Sequence, residues 1–513
     1  MDAKQKVIVI GLDGATFKQL GPMMDEGKLP AFSRLVQQGA SGVLESTVPP
    51  TTPPAWSSML TGVNPGRHGI FDFRLTPHAG PERPLIDLGK MKSMKVWEAL
   101  ERGGMSSGFL GVPVMYPPAP LKGWMISGIM TPSRDAAFTY PEGLKQELLD
   151  AFPDYVIDVD IPRYDNTFWE DMAIFLGDLE KHTRVQIDAF FHLWDKKPVD
   201  FLMAVFVATD RIGHLLWKFL DSAYPRHFES ELGRKVRERT AGIYAMIDGL
   251  LEEAARRAEK QGAMLLVMSD HGFGATDGYF NANRLLEEIG LLRVKKEVAF
   301  KKRMFYRAWK IGDSNFITKI LPKGFQRSVR GKIRRGRSSF LNDLEPFLDM
   351  EGTSAFYASI PCHGFFIRRR GEGAVVESDA EAAKIRDRIK KALTGVVHPD
   401  GGKMVTGLWD REELYNGPMT QYAPDVVFSM RDFSIVPRPL LGATDLYRPA
   451  GAQPNGFHRM DGLVVLWGDG VAAGAIEGAR MIDIAPTIID RMGMPRPPMV
   501  EGKSLLMADK KQG

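Results

Sequence analysis

Residues 6–14 read KVIVIGLDG, a short apolar run that ends in a glycine-rich turn. An uninterrupted run of this length, bounded by turn residues, is typical of a strand buried on both faces. Comparable runs recur, among them FLMAVFVATD at 201–210, AMLLVMSDH at 263–271 and GLVVLWG at 462–468. Longer segments with apolar residues three and four apart separate the early runs and predict helices. Strands that alternate with helices predict an α/β fold with a mostly parallel central sheet flanked by helices on both faces.

The composition is that of an ordinary globular protein. A chain of 513 residues is long enough for one large elaborated domain or for two to three smaller ones. Its only cysteine, Cys362, excludes an internal disulfide framework and a cysteine-based zinc site, which favours a reducing compartment. No apolar run reaches the roughly 18 to 20 residues that span a bilayer, and the N-terminal run is too short for a signal peptide. We therefore expect a cytoplasmic protein without a transmembrane segment.

Basic charge is concentrated between Lys295 and Arg337, where fifteen Lys or Arg stand against two acids, although the formal net charge of the chain is only +4. The alternation of strand and helix breaks here. We predict a basic, largely helical insertion at 291–345 between two parts of a catalytic core, 1–290 and 346–513, with active-site loops in the second part.

Two interpretations of the insertion stay open. It is either a lid or docking surface for an anionic partner, such as a lipid or another polyanion, or a solvated helical face. Aromatic residues stand among its cations at spacings of three to five, which favours the core face of a helix over base stacking, so a nucleic acid is the less favoured partner. These aromatic residues are Phe300, Phe305, Tyr306, Trp309, Phe316 and Phe325.

Three of the predicted strands end in acidic residues. Asp13 closes the first run, Asp210 closes the run at 201–210, and Asp270 with His271 closes the run at 263–271. Ligands of an open parallel sheet bind beyond the carboxyl ends of its strands. Three carboxylates at that edge crowd negative charge, which is costly unless cations balance it. The three together therefore indicate a metal site, whereas each of them alone would indicate a turn or a helix cap.

Two further histidines extend this set. DRIGH at 210–214 puts His214 one helical turn after Asp210, so that a carboxylate and an imidazole can share one cation. His458 lies in the glycine-containing segment PNGFHRMDG just before the predicted strand at 462–468. Oxygen and imidazole ligands without a thiolate suit zinc, manganese or iron better than calcium.

The segment VPPTTPPAW at 48–56 holds two threonines between prolines. Pro53 disfavours a helical conformation for Thr52 and is itself suited to the first turn of a helix, so we predict Thr52 as the N-cap of a short helix that stops at Gly62. Free backbone N–H groups at that end would suit a phosphate. A capping threonine without chemistry is the alternative. Next to metal ions, the hydroxyl of Thr52 can act as a nucleophile, whereas Thr51 would lie off the helix axis.

Five motifs in this order, GLDGAT, VPPTTPPAWSSMLTGVNPGRHGIFDF, DRIGH, SDHGF and GFHRMDG, strongly resemble the alkaline phosphatase superfamily. Within it, they resemble the type I phosphodiesterase/nucleotide pyrophosphatase family. The resemblance runs from about residue 6 to 506, interrupted chiefly by the insertion, and implies an alkaline phosphatase-like fold. It also implies two divalent metal ions, usually Zn²⁺, with Thr52 between them as both ligand and nucleophile. The implied ligands are Asp210, His214 and His458 for one ion, and Asp13, Asp270 and His271 for the other.

The resemblance implies a hydrolase of phosphate esters. Thr52 would attack the phosphorus in line to give a phosphothreonine, which water activated near Asp210 would then hydrolyse. The family usually carries an asparagine shortly after HGI, where this chain has Phe73, and this puts nucleotide substrates in doubt. Arg74 is either a substitute phosphate ligand or a surface arginine in a salt bridge. Sulfatase activity is disfavoured, because Cys362 lacks the Cys-x-Pro-x-Arg motif of a sulfatase.

The leading hypothesis is thus a metal-dependent phosphodiesterase. The second is a phosphomonoesterase or phosphotransferase that acts on a lipid or glycan headgroup. A non-catalytic binding protein on the same fold is a third hypothesis, and the intact set of ligands argues against it. The sequence does not identify the leaving group, the native metal or the oligomeric state.

Overall fold

The structure, a computed structural model, describes residues 5–79, 83–159, 161, 164, 168–312, 344–369, 375–450 and 455–506. Its strands are β1 Val7–Leu12, β2 Ala40–Glu45, β3 Ser107–Val112, β4 Gly123–Ser127, β5 Thr139–Tyr140, β6 Phe201–Phe206, β7 Met264–Met268, β8 Gly272–Ala275, β9 Gly278–Asn281, β10 Ala355–Tyr357, β11 Gly364–Ile367, β12 Val405–Asp410, β13 Val426–Met430, β14 Ile435–Arg438, β15 Tyr447–Pro449, β16 Gly456–Arg459, β17 Asp461–Gly468, β18 Gly474–Ala475 and β19 Ala479–Arg480. Its helices are α1 Phe17–Asp25, α2 Pro30–Gln38, α3 Thr52–Thr61, α4 Pro65–His68, α5 Val96–Arg102, α6 Leu144–Ala151, α7 Trp169–Lys196, α8 Ala208–Leu220, α9 Pro225–Phe228, α10 Glu231–Lys260, α11 Ala282–Glu288, α12 Lys296–Gly312, α13 Asp379–Thr394, α14 Arg411–Leu414 and α15 Ile484–Arg491.

A ten-stranded sheet runs through the molecule in the order β18-β2-β17-β7-β1-β6-β3-β4-β5, with β19 also paired to β2. The strand β1 pairs in parallel with both β6 and β7, and β3 pairs in parallel with β6 and β4. All residues of β1, β3, β6 and β7 are buried, which is why these strands are continuously apolar in sequence. The predicted α/β fold with a mostly parallel sheet is confirmed.

Helices cover both faces of this sheet, and alternate residues of β1 show the two layers. Ile8 and Ile10 belong to a core with residues of α7, α8 and α10, whereas Val7 and Val9 belong to a second core with residues of α3, α5 and α15. Successive side chains of a strand point to opposite faces, so each layer of helices receives every second residue. The short helix α3, which follows the proline-rich segment, is thereby fixed against the sheet.

A smaller antiparallel sheet, in the order β10-β11-β13-β12, has a core of its own with residues of α11 and α13. Two further apolar runs, HGFFI at 363–367 and PDVVFSM at 424–430, form β11 and β13 in this sheet and pair antiparallel with each other, rather than extending the parallel sheet. A buried run looks the same in sequence whichever sheet it joins, so the sequence did not distinguish them. The division of the chain at 290 and 345 stays a prediction.

The first part of the predicted insertion is helical. Within the predicted insertion at 291–345, the helix α12 spans Lys296–Gly312, and residues 313–343 lie outside the described residues. Among the aromatic residues of this segment, Tyr306 is buried as a core-face residue, whereas 72% of Phe300 is exposed. The side chains of Phe305, Trp309, Phe316 and Phe325 lie outside the described part. None of the helices in the described ranges is both long enough and apolar enough to cross a membrane.

Candidate active site

The strand directions gather the predicted site residues at one edge of the large sheet. The parallel strands β1, β6 and β7 end there, and Asp13, Asp210 and Asp270 follow them closely. The strand β17 runs antiparallel to β7, so His458, just before β17, reaches the same edge. The strand β2 runs antiparallel to β17, so its carboxyl end leads the chain to Thr52 at this edge too.

Asp210, His214 and His458 form the first of two groups of metal-type ligands, called here the His458 group. Asp210 and His214 lie one turn apart on α8, with 3.3 Å between Asp210 Oδ1 and His214 Nε2. His458 Nε2 lies 3.5 Å from the same Asp210 oxygen and 3.0 Å from His214 Nε2. One oxygen and two imidazole nitrogens therefore converge on one point, which is the arrangement that a single cation requires.

Asp13, Asp270 and His271 form the second group, called here the Asp13 group. His271 Nε2 lies 3.6 Å from Asp13 Oδ1 and 3.4 Å from Asp270 Oδ2. Both of these carboxylate oxygens are buried and have no hydrogen-bond partner among the described residues. Buried polar atoms are normally hydrogen-bonded, so two orphan oxygens aimed at one imidazole nitrogen fit a cation as their missing partner.

The two groups are neighbours. The rings of His271 and His458 stack with their centroids 3.7 Å apart. His458 Nδ1 lies 2.9 Å from the carbonyl oxygen of Pro50, and His271 Nδ1 lies 3.1 Å from that of Gly272. An Nδ1–H that donates to a carbonyl leaves the Nε2 lone pair free for a metal, which is the usual support of a histidine ligand.

The remaining oxygens of the Asp13 group are held by donors. The indole N–H of the fully buried Trp56 donates to Asp13 Oδ2 at 3.2 Å. The backbone N–H of Gly14 donates to Asp270 Oδ1, also at 3.2 Å. Each carboxylate therefore has one oxygen fixed by the protein and one oxygen left for a ligand.

The protein alone does not balance the charge of the Asp13 group. Burial, and then the charge of Asp210, raise the pKa of Asp13 from 3.8 to about 8. Burial, and then the charge of Asp13, raise the pKa of Asp270 well above its ordinary value. Burial lowers the pKa of His271 well below its ordinary value, so this imidazole is neutral near pH 7. A bound cation would reverse the preference of the two carboxyls for their protonated forms.

Asp210 is held differently. Burial by itself would raise its pKa, but the neighbouring charges of His214 and Arg211 lower it well below the ordinary value. The Arg211 guanidinium contacts Asp210 Oδ2 through Nη1 and grips Asp158 with its other nitrogens, Nε to Oδ1 at 3.0 Å and Nη2 to Oδ2 at 2.6 Å. Sequence reasoning missed this clamp. Arg211 could have been noticed beside Asp210, but Asp158 lies about fifty residues away and shows no pattern.

Thr52 lies at the Asp13 group, but not as the predicted N-cap. Thr51 is the N-cap of α3, and Thr52 is its first residue. The carbonyl oxygen of Thr51 accepts the first helical hydrogen bond from Ala55 N–H at 3.1 Å. The hydroxyl of Thr52 lies 3.4 Å from His271 Nε2, whereas that of Thr51 turns away to the carbonyl oxygen of Pro361 at 3.3 Å.

The paired prolines explain why the observed cap, Thr51, makes no side-chain hydrogen bond to the helix. An N-cap side chain normally accepts from the N–H of the second or third helical residue, and here these are Pro53 and Pro54, which have none. The Thr51 hydroxyl accordingly makes no capping hydrogen bond. For the same reason, the expected row of free N–H donors for a phosphate is wrong, because within the first turn only Thr52 itself has an N–H group.

Three other residues singled out in the sequence lie apart from the two groups. Phe73 is half-buried, and its N–H donates to Asp72 Oδ1 at 2.6 Å. Arg74 donates to the carbonyl oxygen of Arg83 at 2.8 Å and lines a cavity of about 190 Å³. Burial raises the pKa of the Cys362 thiol, which makes that cysteine a poor nucleophile.

Comparison with known proteins matches these features to one family. The family model of type I phosphodiesterase / nucleotide pyrophosphatase matches residues 7–330. Among solved structures, the fold is similar to murine ectonucleotide pyrophosphatase / phosphodiesterase 5, with 14% identity, a TM-score of 0.50 and 96% of each chain covered. It is also similar to phosphonoacetate hydrolase from Sinorhizobium meliloti 1021, with 13% identity, a TM-score of 0.50 and 96% of each chain covered. No curated protein matches this chain in sequence.

Proposed function

The chain belongs to the type I phosphodiesterase / nucleotide pyrophosphatase family and is a hydrolase of phosphate esters, and from this premise we propose that it cleaves phosphodiesters with two divalent metal ions and Thr52 as the nucleophile. The His458 group would hold one ion and the Asp13 group the other. Zinc suits these imidazole and carboxylate ligands, and manganese or iron are the alternatives.

One observation carries the proposal. Asp13 Oδ1 and Asp270 Oδ2, buried and without a hydrogen-bond partner among the described residues, point to the same nitrogen of His271 that the Thr52 hydroxyl approaches at 3.4 Å. A ligand set that lacks only its cation, with a hydroxyl beside it, supports a metal-activated nucleophile better than a structural cluster.

In the first proposed step, Thr52 Oγ1 gives up its proton and forms a bond to phosphorus while the bond to the departing ester oxygen breaks. The departing oxygen takes up a proton to give an alcohol, and the phosphothreonine still carries the other ester group of the diester. When bound, the two ions would supply Lewis-acid stabilisation of negative charge on the oxygens around phosphorus. The chain itself contributes position, since α3 is packed against the sheet and its second and third residues, Pro53 and Pro54, restrict the backbone next to Thr52. Thr51, not Thr52, is the N-cap, and the Thr52 hydroxyl lies at the Asp13 group, 3.4 Å from His271 Nε2.

In the second proposed step, water attacks the phosphothreonine, restores the Thr52 hydroxyl and releases the phosphoryl product. Asp210, with its pKa lowered by His214 and Arg211, stays a carboxylate and is suited to orient that water from the His458 group. Asp210 and His458 are buried, whereas 27% of the His214 side chain is exposed, so water can approach the His458 group from the side of His214.

The preference for diesters is the finer part of the proposal. Phe73 has no side-chain donor for a phosphate oxygen, so it does not replace the asparagine that the family usually carries, and Arg74 directs one of its N–H groups to the carbonyl oxygen of Arg83. Nucleotides are therefore less favoured than other diesters. The same observation favours the second candidate, a phosphomonoesterase or phosphotransferase acting on a lipid or glycan headgroup.

The test compares bis-p-nitrophenyl phosphate with p-nitrophenyl phosphate as substrates of the metal-reconstituted enzyme. We expect faster hydrolysis of the diester, loss of activity on chelation, and loss in Thr52→Ala. A preference for the monoester that Thr52→Ala abolishes would support the second candidate. Activity that survives both chelation and Thr52→Ala would contradict both candidates.

A further inference from the structure

The helix α12 exposes two large apolar side chains next to each other. Phe300 is 72% exposed and Met304 is 51% exposed, and the two are one helical turn apart. Most large apolar residues of the described chain are buried, so an adjacent exposed pair is unusual. This pair, with the basic residues around it, is called here the Phe300 face.

The opposite side of α12 anchors the helix to the protein. The Tyr306 hydroxyl contacts the Asp445 carboxylate and accepts from Asn281 Nδ2 at 3.2 Å. Lys302 is buried, with its Nζ 3.8 Å from the centroid of the Phe347 ring. At about 100° per residue, Lys302 and Tyr306 lie on the far side from Phe300 and Met304. The helix is therefore fixed with the Phe300 face outward.

Cations flank the apolar pair on this outward face. Lys296, Arg303 and Arg307 are exposed, and their helical positions lie within about 60° of Phe300. The sequence of α12 holds six basic residues and one acid, Glu297. An apolar ridge bordered by Lys and Arg is the pattern of a helix that lies in the interface of a membrane with anionic lipids.

We propose that the Phe300 face docks onto a membrane surface that contains anionic phospholipids. Phe300 and Met304 would enter the headgroup region, and Lys296, Arg303 and Arg307 would meet the lipid phosphates. This inference does not rest on the phosphodiesterase chemistry, because the face lies on α12 and uses none of the residues of the two metal-type groups.

Charge argues against the other occupants of this face. The segment that follows, 313–343, carries eight Lys or Arg and two Asp, so it has the same sign as the face it would cover. A second copy of the chain would bring two basic faces together. A nucleic acid would match the charge, but it would place a phosphate backbone against the apolar side chains of Phe300 and Met304. The test must therefore distinguish nucleic-acid binding from membrane binding.

Co-flotation with phosphatidylcholine vesicles, with or without phosphatidylglycerol, tests the proposal at low and high salt. We expect binding only to the anionic vesicles and weakening by salt. Each cation at such a surface contributes about fivefold in binding, equivalent to about 1 kcal/mol, so Arg303→Glu with Arg307→Glu should lose more than about 25-fold. Phe300→Ser with Met304→Ser should weaken binding at least about tenfold.

Matched controls keep the result specific. Ile174→Ser, the control for the apolar pair, changes a side chain that is 55% exposed on another helix. Lys384→Glu with Lys391→Glu, the control for the arginine pair, makes the same charge change on α13. Both control variants should bind as the wild type does. Thr52→Ala should also bind as wild type, which separates docking from catalysis. The proposal would be overturned by equal binding to both kinds of vesicle, by no binding to either, or by losses of binding that the controls share. It would also be overturned if a DNA duplex competes and removes the protein from the vesicles.

Discussion

Removing the metal ions should make the stability of the protein fall as pH rises, because Asp13 then lies buried without a counter-charge. Its pKa in the folded protein is about 8, against an ordinary value of 3.8 that applies when the chain is unfolded. Between these two pH values, Asp13 is therefore protonated in the folded state and ionised in the unfolded state. Stability from this source is complete below about pH 4, decreases through the window, and is lost above about pH 8.

The size of this effect follows from the linkage relation. From about pH 6 to about pH 8, the free energy of unfolding of the metal-free protein should fall by about 2 kcal/mol from Asp13 alone. The raised pKa of Asp270 acts in the same direction. The lowered pKa of His271 acts in the opposite direction, by less than about 1 kcal/mol over this window, because the folded imidazole is neutral while the unfolded one still binds protons near pH 6.

Urea denaturation of the chelated protein at the two pH values measures this change, with the metal-loaded protein and chelated Asp13→Asn as controls. Both controls should show a much smaller slope, since a cation or a neutral amide removes the cost of ionising the carboxyl. A chelated wild type whose stability changes from about pH 6 to about pH 8 in the same way as that of chelated Asp13→Asn would refute the claim that Asp13 is poised for a cation.

Two further predictions concern the residues that hold the ligands. Arg211→Met should weaken metal binding at the His458 group by about 10- to 100-fold, because Asp210 loses the guanidinium that orients it. Cobalt titration followed by absorption should show this loss, with partial retention in Arg211→Lys and none of the loss in Arg74→Met. Trp56→Phe should cost about 1–3 kcal/mol in unfolding free energy, because Asp13 Oδ2 loses its buried donor. The same titration should show weaker binding at the Asp13 group only, and equal weakening at both groups would contradict this assignment.

The sequence was most informative where parallel strands end. Asp13, Asp210 and Asp270 follow three buried apolar runs, and the carboxyl ends of parallel strands share one edge, so their convergence could be expected from the chain alone. His458 precedes an antiparallel strand, and only the family resemblance assigned it to the same edge.

Other features depend on contacts that no local pattern encodes. The clamp from Asp158 joins a loop to α8 across about fifty residues. The N-cap of α3 is Thr51, one residue before the predicted cap, and Pro53 and Pro54 leave the Thr51 hydroxyl without a backbone donor. The aromatic spacing in α12 predicted a helix, but it did not indicate which face would pack, and Phe300 proved to be on the outward side.

The most direct test of the central claim is peptide mapping of the metal-loaded enzyme after an acid quench during turnover of a diester. We expect Thr52 to carry one phosphoryl group that still bears the second ester substituent of the substrate, and Thr52→Ala to carry none. Activity should fall by a factor of order 10³ or more in Thr52→Ala and should remain substantial in Thr51→Ala. Phosphorylation of Thr51, or a Thr52→Ala enzyme as active as the wild type, would contradict it.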